Sequence, residues 1–374
     1  MESTAAVLES PVGSAAFAEA PPATIATVEV ADPAPDEVRV EVAAASLCHT
    51  DLKIARGHID EPCPVVMGHE GAGVVEAVGE RVTSVEPGDH VVLGRMACGT
   101  CRWCRSGRSN LCEVRRTASR AGTLRGGGVR FHRNGDPVHH CHGVSAFSRY
   151  TVINEEVAIP ITDDVPLDRA TLLGCGVFTG FGAVANTAGV EPGASVAVFG
   201  CGGVGLSALQ GAVVSGAEPV VAVDLVPEKL ETAAALGATD VVDASSVDPV
   251  ERVRDLTDGG ADYAVVCAAA IAAIEQAVAA VGTTGEVVLV GVPRTGESPT
   301  LDVYDLMRSE KVVRGSFNGS YALPVAIPRL ADLVAAGKLA LDPLVSSVRP
   351  LDDVNDAVAE LDTGTGIRHV LVPE

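Results

Sequence analysis

Residues 195–214 read SVAVFGCGGVGLSALQGAVV, and this stretch decides the fold of one half of the chain. A short apolar run is followed by the glycine motif Gly200-Cys-Gly202-Gly-Val-Gly205 and then by an apolar segment of helical length. Glycines between a strand and a helix let the backbone approach a pyrophosphate at the helix N-terminus. The stretch therefore predicts a dinucleotide-binding βαβ unit.

The residues around this loop alternate between strand and helix patterns. Helices are predicted at 204–214, 227–236 and 271–281, with short apolar strands between them. Such alternation indicates a parallel sheet with helices on both faces. Up to about residue 160 the chain instead reads as short strands separated by Pro and Gly. The segment after about residue 318 is too small to fold alone, so we expect it to pack on the first domain.

Asp224 ends the strand that follows the glycine loop. A carboxylate about 20 residues beyond the loop binds the ribose hydroxyls of NAD and repels the 2′-phosphate of NADP. The alternative is that Asp224 is a turn or helix-capping residue. The fingerprint favours NAD over NADP.

Four cysteines, Cys98, Cys101, Cys104 and Cys112, crowd into one short segment. Four thiolates can surround one tetrahedral zinc ion, and a closed shell of sulfur leaves no position for a substrate. Free thiols or an iron–sulfur cluster are the alternatives. The segment predicts a structural zinc site.

Cys48, His69 and Cys175 form a second potential ligand set. Two thiolates and one imidazole leave a fourth position open, which is the composition of a catalytic zinc site. Two thiolates also neutralise the dication, which gives a soft Lewis acid suited to an alkoxide. The spacing alone does not establish that the three residues converge.

Several motifs together resemble those of the zinc-containing medium-chain alcohol dehydrogenases. They are CHTD at 48–51, GHEGAGVVEAVGE at 68–80, the cysteine cluster, GCGVFTGFGAV at 174–184 and the glycine loop. The similarity extends from about residue 5 to the end. The similarity is greatest to the branch that contains the liver-type and glutathione-dependent formaldehyde dehydrogenases. Members of that branch retain the segment that corresponds to residues 115–150.

The resemblance implies an α/β protein of two domains. A GroES-like, β-rich catalytic domain is expected over residues 1–176 and, as a return segment, over 319–374. A doubly wound Rossmann domain that binds NAD is expected over residues 177–318. Two zinc ions per chain and a homodimer are also implied.

By the same resemblance, Cys48, His69 and Cys175 bind the catalytic zinc. Glu70 lies beside the metal, and Asp51 orients His69 through its second ring nitrogen.

Further roles concern the proton and the cofactor. Thr50 accepts the proton of the alcohol, and the relay in many relatives ends on a histidine where this chain has Lys53. Relatives often carry arginine at the position of His49. The resemblance implies contacts with the cofactor from His49, Thr179, Gly200, Gly202, Gly203, Val204, Gly205, Asp224, Lys229, Val292 and Arg368.

The implied activity is reversible hydride transfer between a primary or secondary alcohol and NAD. One alternative is a formaldehyde–thiol adduct as substrate, because Arg116 lies four residues after the last clustered cysteine, as in the glutathione-dependent enzymes. A zinc-bound structural protein without catalysis is a further alternative. The intact trio of Cys48, His69 and Cys175 argues against it.

Composition limits the partners of the chain. A formal net charge of −22 argues against binding to nucleic acid or to an anionic membrane surface. The apolar runs are too short to span a bilayer, and MESTAAVLES lacks the pattern of a secretory signal. We therefore expect a cytoplasmic protein that binds a small alcohol or aldehyde.

The acidic excess generates a prediction about salt. Asp and Glu outnumber Lys and Arg by 49 to 27, so like charges repel one another in dilute buffer and are screened in concentrated salt. If the host has a salt-rich cytoplasm, the melting temperature and activity should rise steeply from low salt to molar KCl. A flat or falling curve would leave only a GC-rich genome as the origin of this composition.

Overall fold

The computed structural model describes residues 1–294 and 296–374, which form two compact units. The first unit comprises Met1–Cys175, Ala322–Gly337 and Leu341–Glu374, and the second comprises Gly176–Tyr321 and Lys338–Ala340. The short segment at 338–340 joins the second unit through the Gln210 side chain. Its Nε2 donates to the Ala340 carbonyl at 3.0 Å, and its Oε1 accepts from the Ala340 N–H at 2.7 Å.

The strands are numbered in chain order along the described residues. They are β1 (Glu2–Leu8), β2 (Ala23–Val30), β3 (Glu37–Ser46), β4 (Val65–Val66), β5 (Gly71–Val78), β6 (His90–Leu93), β7 (Phe131–Arg133), β8 (Asp136–His140), β9 (Tyr150–Asn154), β10 (Ala158–Pro160), β11 (Val196–Phe199), β12 (Val220–Asp224), β13 (Asp240–Asp243), β14 (Ala261–Val266), β15 (Val281–Leu289), β16 (Val312–Gly315), β17 (Val345–Pro350) and β18 (Arg368–Val372).

The α-helices are numbered in the same way. They are α1 (His49–Ala55), α2 (Arg102–Arg105), α3 (Glu113–Ala121), α4 (Leu167–Ala170), α5 (Gly176–Gly182), α6 (Gly203–Val214), α7 (Pro227–Ala235), α8 (Pro249–Leu256), α9 (Ile271–Ala280), α10 (Val303–Arg308), α11 (Leu323–Ala335) and α12 (Val354–Asp362). A π-helical turn spans Ala183–Ala188. Short 3₁₀ turns occupy Ser109–Leu111, Glu155–Val157, Thr171–Gly174, Asn318–Ser320, Asp342–Leu344 and Leu351–Asp353.

The first unit is built on β-structure. Strands β1, β2, β7, β8 and β4 form a closed barrel, and a second sheet has the order β10-β6-β5-β3-β18-β17 with β9 also paired to β3. Alternation along β3 places Val38, Val40 and Val42 in the core. The last strand, β18, pairs antiparallel with the end of β3, at Val370 with Ser46 and at Leu371 with Ala45. This pairing anchors the C-terminal segment to the first unit.

The second unit contains a six-stranded parallel sheet in the order β13-β12-β11-β14-β15-β16. All four residues of β11 are buried, as expected for a strand covered on both faces. If β11 is counted as the first strand, this order is 3-2-1-4-5-6, which is that of the doubly wound dinucleotide-binding fold. The switch point, where the strand order reverses, lies between β11 and β14. The predicted α/β class with a Rossmann domain is confirmed.

No single helix among residues 1–294 and 296–374 is long and apolar enough to cross a membrane. One bent pair, Leu167–Gly174 with Gly176–Ala188, passes that test by length and composition only.

Candidate active site and metal centres

The turn from β3 into α1 carries the first two residues of the candidate site. Cys48 has an extended backbone and is the residue that precedes α1, and Asp51 lies in the first turn of that helix. Asp51 Oδ2 accepts a hydrogen bond from the Cys48 N–H at 3.0 Å, and its Oδ1 lies 2.9 Å from His69 Nδ1. The carboxylate therefore fixes the His69 ring and leaves Nε2 on the opposite side.

Four potential ligands converge on that side of the ring. Cys48, His69, Glu70 and Cys175 are all buried, and their ligand atoms all lie within 4.8 Å of one another. His69 Nε2 is buried and has no hydrogen-bond partner among the described residues. A buried polar atom without a partner is costly, and this one lies beside two sulfur atoms. Two thiolates and an imidazole fit the donor set of a zinc ion with an open position.

The two sulfurs influence each other's ionisation. A hydrogen bond from the Cys175 thiol lowers the pKa of Cys48, and the same interaction raises the pKa of Cys175. Without a cation, the pair thus readily forms only one thiolate. A dication would stabilise both, because thiolates are the form that binds metal.

Glu70 and Arg368 border the ligand set. Burial raises the pKa of Glu70 to about 8, although Arg368 opposes the shift. Arg368 Nη1 lies 3.4 Å from Glu70 Oε1 and donates to the Leu47 carbonyl at 3.2 Å. The structure places Arg368 at this centre in the first unit, and its contact with a pyrophosphate stays a prediction.

Helix α1 carries three more of the predicted residues. Thr50 and Lys53 are half-buried and lie three residues apart, so they share one face of the helix. Burial lowers the pKa of Lys53, which makes its ammonium a better proton donor than an exposed lysine. His49 is exposed at the start of the helix.

The clustered cysteines form a separate group in the first unit. The sulfur atoms of Cys98, Cys101, Cys104 and Cys112 all lie within 4.8 Å of one another. The Cys98 N–H donates to Cys112 Sγ at 3.4 Å, and the Cys101 N–H donates to Cys98 Sγ at 3.3 Å. These bonds stabilise thiolates, and a closed set of four sulfurs fits a structural zinc ion.

The glycine loop follows β11 in the second unit, as predicted. Gly200 has a φ of +95°, and a Cβ on Gly205 would lie 1.7 Å from the Gly200 carbonyl oxygen. Neither position tolerates a side chain without movement of the backbone. A Cβ on Gly202 would instead meet nothing within 4 Å, which leaves space beside the helix N-terminus.

Asp224 lies beside this loop at the end of β12. Its Oδ2 accepts from the Cys201 N–H at 2.6 Å, and its Oδ1 accepts from the N–H groups of Leu225 at 2.8 Å and Val226 at 3.0 Å. Asp224 is thus a turn residue, one of the two alternatives for it. The same bonds hold the carboxylate at the position where this fold binds ribose hydroxyls.

The other residues predicted to contact the cofactor from the second unit differ in exposure. Val292 is 60% exposed after β15. Half-buried or buried positions in α5, α6 and α7 are occupied by Thr179, Gly203, Val204 and Lys229.

The sequence analysis missed two polar residues near the metal centre. Arg95 Nη2 donates to Cys175 Sγ at 3.4 Å. Glu61 is buried, and its Oε1 lies 2.8 Å from His142 Nδ1, whose ring centroid is 5.6 Å from that of His69. The signal for Arg95 was its position as the one charged residue in the apolar run VVLGRMAC, which alone indicates no chemistry.

Helix α3 distinguishes Arg115 from Arg116. Arg115 is buried and donates to the Asn110 carbonyl at 2.5 Å, whereas Arg116 is exposed. Arg115 and Ala118 are the buried residues of this helix, and their spacing of three places them on one face. Helical periodicity could therefore have identified Arg115 as the inward-facing arginine.

Two family models match the chain. The model of the alcohol dehydrogenase GroES-like domain matches residues 34–163, and that of the zinc-binding dehydrogenases matches residues 203–336. A curated relative, the S-(hydroxymethyl)glutathione dehydrogenase of Escherichia coli O1:K1 / APEC, is 39% identical over 363 residues. These are 95% of this chain and 98% of the relative.

Solved structures agree with this assignment. An alcohol dehydrogenase zinc-binding domain protein from Burkholderia ambifaria has a TM-score of 0.95 and 36% identity, covering 100% of this chain and 99% of that one. The benzyl alcohol dehydrogenase of Acinetobacter calcoaceticus has a TM-score of 0.93 and 34% identity, covering 100% of both chains. The chain therefore belongs to the zinc-containing medium-chain alcohol dehydrogenase family, and it is an oxidoreductase that uses zinc and a nicotinamide dinucleotide.

Proposed function

We propose that the chain reversibly oxidises a primary or secondary alcohol to an aldehyde or ketone, with catalytic zinc held by Cys48, His69 and Cys175. The observation that carries the proposal is the buried His69 Nε2, which lies beside two cysteine sulfurs and has no hydrogen-bond partner in the described part of the chain. Asp51 behind the ring makes that nitrogen a better ligand.

When bound, zinc would act as a Lewis acid towards the alcohol oxygen, and NAD would accept the hydride. In the overall step the carbinol carbon loses a hydride, which carries two electrons, and the hydroxyl loses a proton. Thr50 accepts that proton through its hydroxyl oxygen. Lys53, whose pKa burial lowers, lies on the same face of α1 and passes the proton towards solvent.

Residues around the ligand set adjust its charge. The Arg368 guanidinium stabilises the ionised forms of Glu70 and of the Cys48 sulfur. Glu70 is buried, and its carboxylate lies within 4.8 Å of the other potential metal ligands. In this proposal Glu70 is a transient ligand, and the four clustered cysteines hold the structural zinc.

The cofactor of the proposal is NAD, because the Asp224 carboxylate would repel a 2′-phosphate. A homodimer is proposed from the resemblance to the branch that keeps residues 115–150. A cytoplasmic location is proposed as well, because cysteines that bind zinc must stay reduced and a reducing compartment preserves that state.

A second candidate substrate is the hydroxymethyl adduct of glutathione. It is favoured by the 39% identity to a dehydrogenase named for that adduct. Arg116 is exposed on α3 and is thus free to meet a large anionic substrate.

Activity is tested by NADH formation over short, branched and aromatic alcohols, with S-hydroxymethylglutathione included. We expect turnover of at least one alcohol and a loss of at least about a thousandfold in Cys175→Ala, because Lewis-acid stabilisation is worth several kcal/mol. Cys63→Ala is the matched control, since Cys63 lies outside both ligand sets. Absence of turnover with every alcohol and the adduct would overturn the proposed function.

Substitutions in the two metal sites should have different effects on activity and stability. Cys175→Ala should retain the fold and the zinc held by the four clustered cysteines. Cys104→Ala should lower the melting temperature by more than Cys175→Ala does, because structural zinc contributes directly to folding. Elemental analysis should find two zinc ions per active wild-type chain, and one or none would contradict the assignment.

Cofactor choice should depend on Asp224. Asp224→Ser removes the charge that repels a 2′-phosphate and should shift the ratio of kcat/KM for NADP to that for NAD upward by about tenfold. Asp243→Ser is the matched control, because Asp243 ends the neighbouring strand β13 and accepts from the Ser245 N–H at 2.9 Å. A wild-type preference for NADP would refute this role of Asp224.

A further inference from the structure

Arg95 lies at the candidate active site and forms no hydrogen bond with a carboxylate among the described residues. It follows β6 and is half-buried, and its one hydrogen bond among the described residues runs from Nη2 to Cys175 Sγ at 3.4 Å. Its Nε is buried and has no hydrogen-bond partner in the described part of the chain. A desolvated guanidinium nitrogen without an acceptor is costly, so Arg95 has capacity for a further ligand.

Two other arginines in the first unit illustrate pairing with a carboxylate. Arg130 binds Glu37 through two bonds of 2.6 and 2.9 Å, and Arg368 reaches Glu70. The charges near Arg95 are those of the Cys175 and Cys48 sulfurs and of the Glu70 carboxylate, and the two sulfurs would share their charge with a bound zinc ion. Metal binding would therefore weaken the hydrogen bond from Arg95 to the Cys175 sulfur, which favours a further anion at the guanidinium.

Arg115 adds a second positive charge to the same interior. It is buried, and burial followed by repulsion from Arg95 lowers its pKa to about 10. Glu61 does not neutralise the pair, because its Oε1 is engaged with His142 Nδ1 at 2.8 Å and burial raises its pKa to about 8. Arg95 and Arg115 are therefore close enough to repel each other, and Arg95 Nε stays without a hydrogen-bond partner among the described residues.

We propose that Arg95 is a specificity-determining residue that binds the carboxylate of a short hydroxy acid whose alcohol group is oxidised at the metal centre. This inference rests on the proposed function and names its substrate class. The redox step is unchanged: the carbinol carbon gives a hydride to NAD, the hydroxyl gives up a proton, and the carboxylate is retained in the aldehyde acid.

The geometry restricts the distance between the two functional groups of the substrate. Arg95 touches the sulfur of a metal ligand, so a carboxylate paired with it lies only a few atoms from the reacting carbon. The planar guanidinium can donate two parallel bonds to a carboxylate, whereas a neutral alcohol would leave its nitrogens unpaired. The carboxylates of a glutathione adduct are many atoms from the reacting carbon and do not meet this requirement.

The test compares matched acids and amides on the zinc-loaded enzyme. The substrates are 3-hydroxypropanoate, 4-hydroxybutanoate and 6-hydroxyhexanoate, each with its neutral amide. We expect kcat/KM to be at least about tenfold higher for the short acids than for their amides, because a hydrogen bond to a charged group contributes that much binding free energy. The preference for the acid should decline as the chain becomes longer. A wild-type preference for the amides would overturn the proposal.

Variants of Arg95 test whether this residue causes the preference for acids over amides. Arg95→Gln should bring the acid-to-amide ratio close to one, and Arg95→Lys should keep part of it, because lysine retains the charge without the planar fork. Arg120→Gln on α3 is the matched control, since Arg120 is exposed. An equal loss for acid and amide in Arg95→Gln would show that Arg95 acts only through the Cys175 sulfur, and the proposal would fail.

A binding measurement separates this inference from the proposed function. Calorimetric titration with butanoate and butanamide reports on the anion subsite without turnover, and zinc content is measured in parallel. Tighter binding of butanoate to the wild type than to Arg95→Gln at equal zinc content supports the subsite even if no alcohol is oxidised. Equal binding of butanoate to both proteins overturns the subsite, even if neutral alcohols are oxidised.

Discussion

The buried carboxylate of Asp51 is the constraint on which the candidate site depends. It is fully buried, and such a group is stable only when its oxygens are satisfied. One oxygen accepts from the Cys48 backbone and the other holds the His69 ring, so a single side chain sets the positions of two potential ligands from different parts of the chain. Loss of either bond would leave a buried carboxylate oxygen unsatisfied, and loss of the second would also free the imidazole. Folding of the turn before α1 and orientation of His69 are thus one event.

Sheet register brings the remaining groups to the same place. Strand β3 pairs with both β5 and β18 near its end, at Ala45 with Gly71 and at Ser46 with Val370. The Ser46 N–H donates to the Glu70 carbonyl at 3.1 Å, and the Leu47 N–H donates to the His369 carbonyl at 2.9 Å. Residues flanking these pairs, Glu70 and Arg368, are therefore held beside Cys48 by backbone hydrogen bonds. A slip of one residue in either pairing would turn their side chains to the other face of the sheet.

Much of this architecture could be predicted from local patterns. The glycine loop and the alternation around it indicated the parallel sheet, and the predicted helix at 204–214 is observed as Gly203–Val214. Convergence of Cys48 with Cys175 could not be predicted from spacing, because it depends on strand pairings between distant segments. The offset from the last cysteine marked Arg116 as the candidate for a substrate carboxylate, whereas the periodicity of α3 determines that Arg115 is buried and Arg116 exposed. Arg95 belongs to no motif, and its surroundings exist only in the folded chain.

The charge inside the first unit differs from that of the chain as a whole. The chain has a formal net charge of −22, whereas Arg95 and Arg368 lie near the Cys48 and Cys175 sulfurs inside the first unit. In dilute solution such an exterior would slow the approach of a carboxylate, whereas molar salt reduces the range of its field to about 3 Å. Arg95 Nε and the Cys175 sulfur are buried, and buried pairs are screened much less. Salt therefore removes the long-range barrier to an anionic substrate while it leaves the short-range attraction at the site largely intact. An acidic exterior and a binding site for a carboxylate are therefore compatible in concentrated salt, where the long-range repulsion is screened.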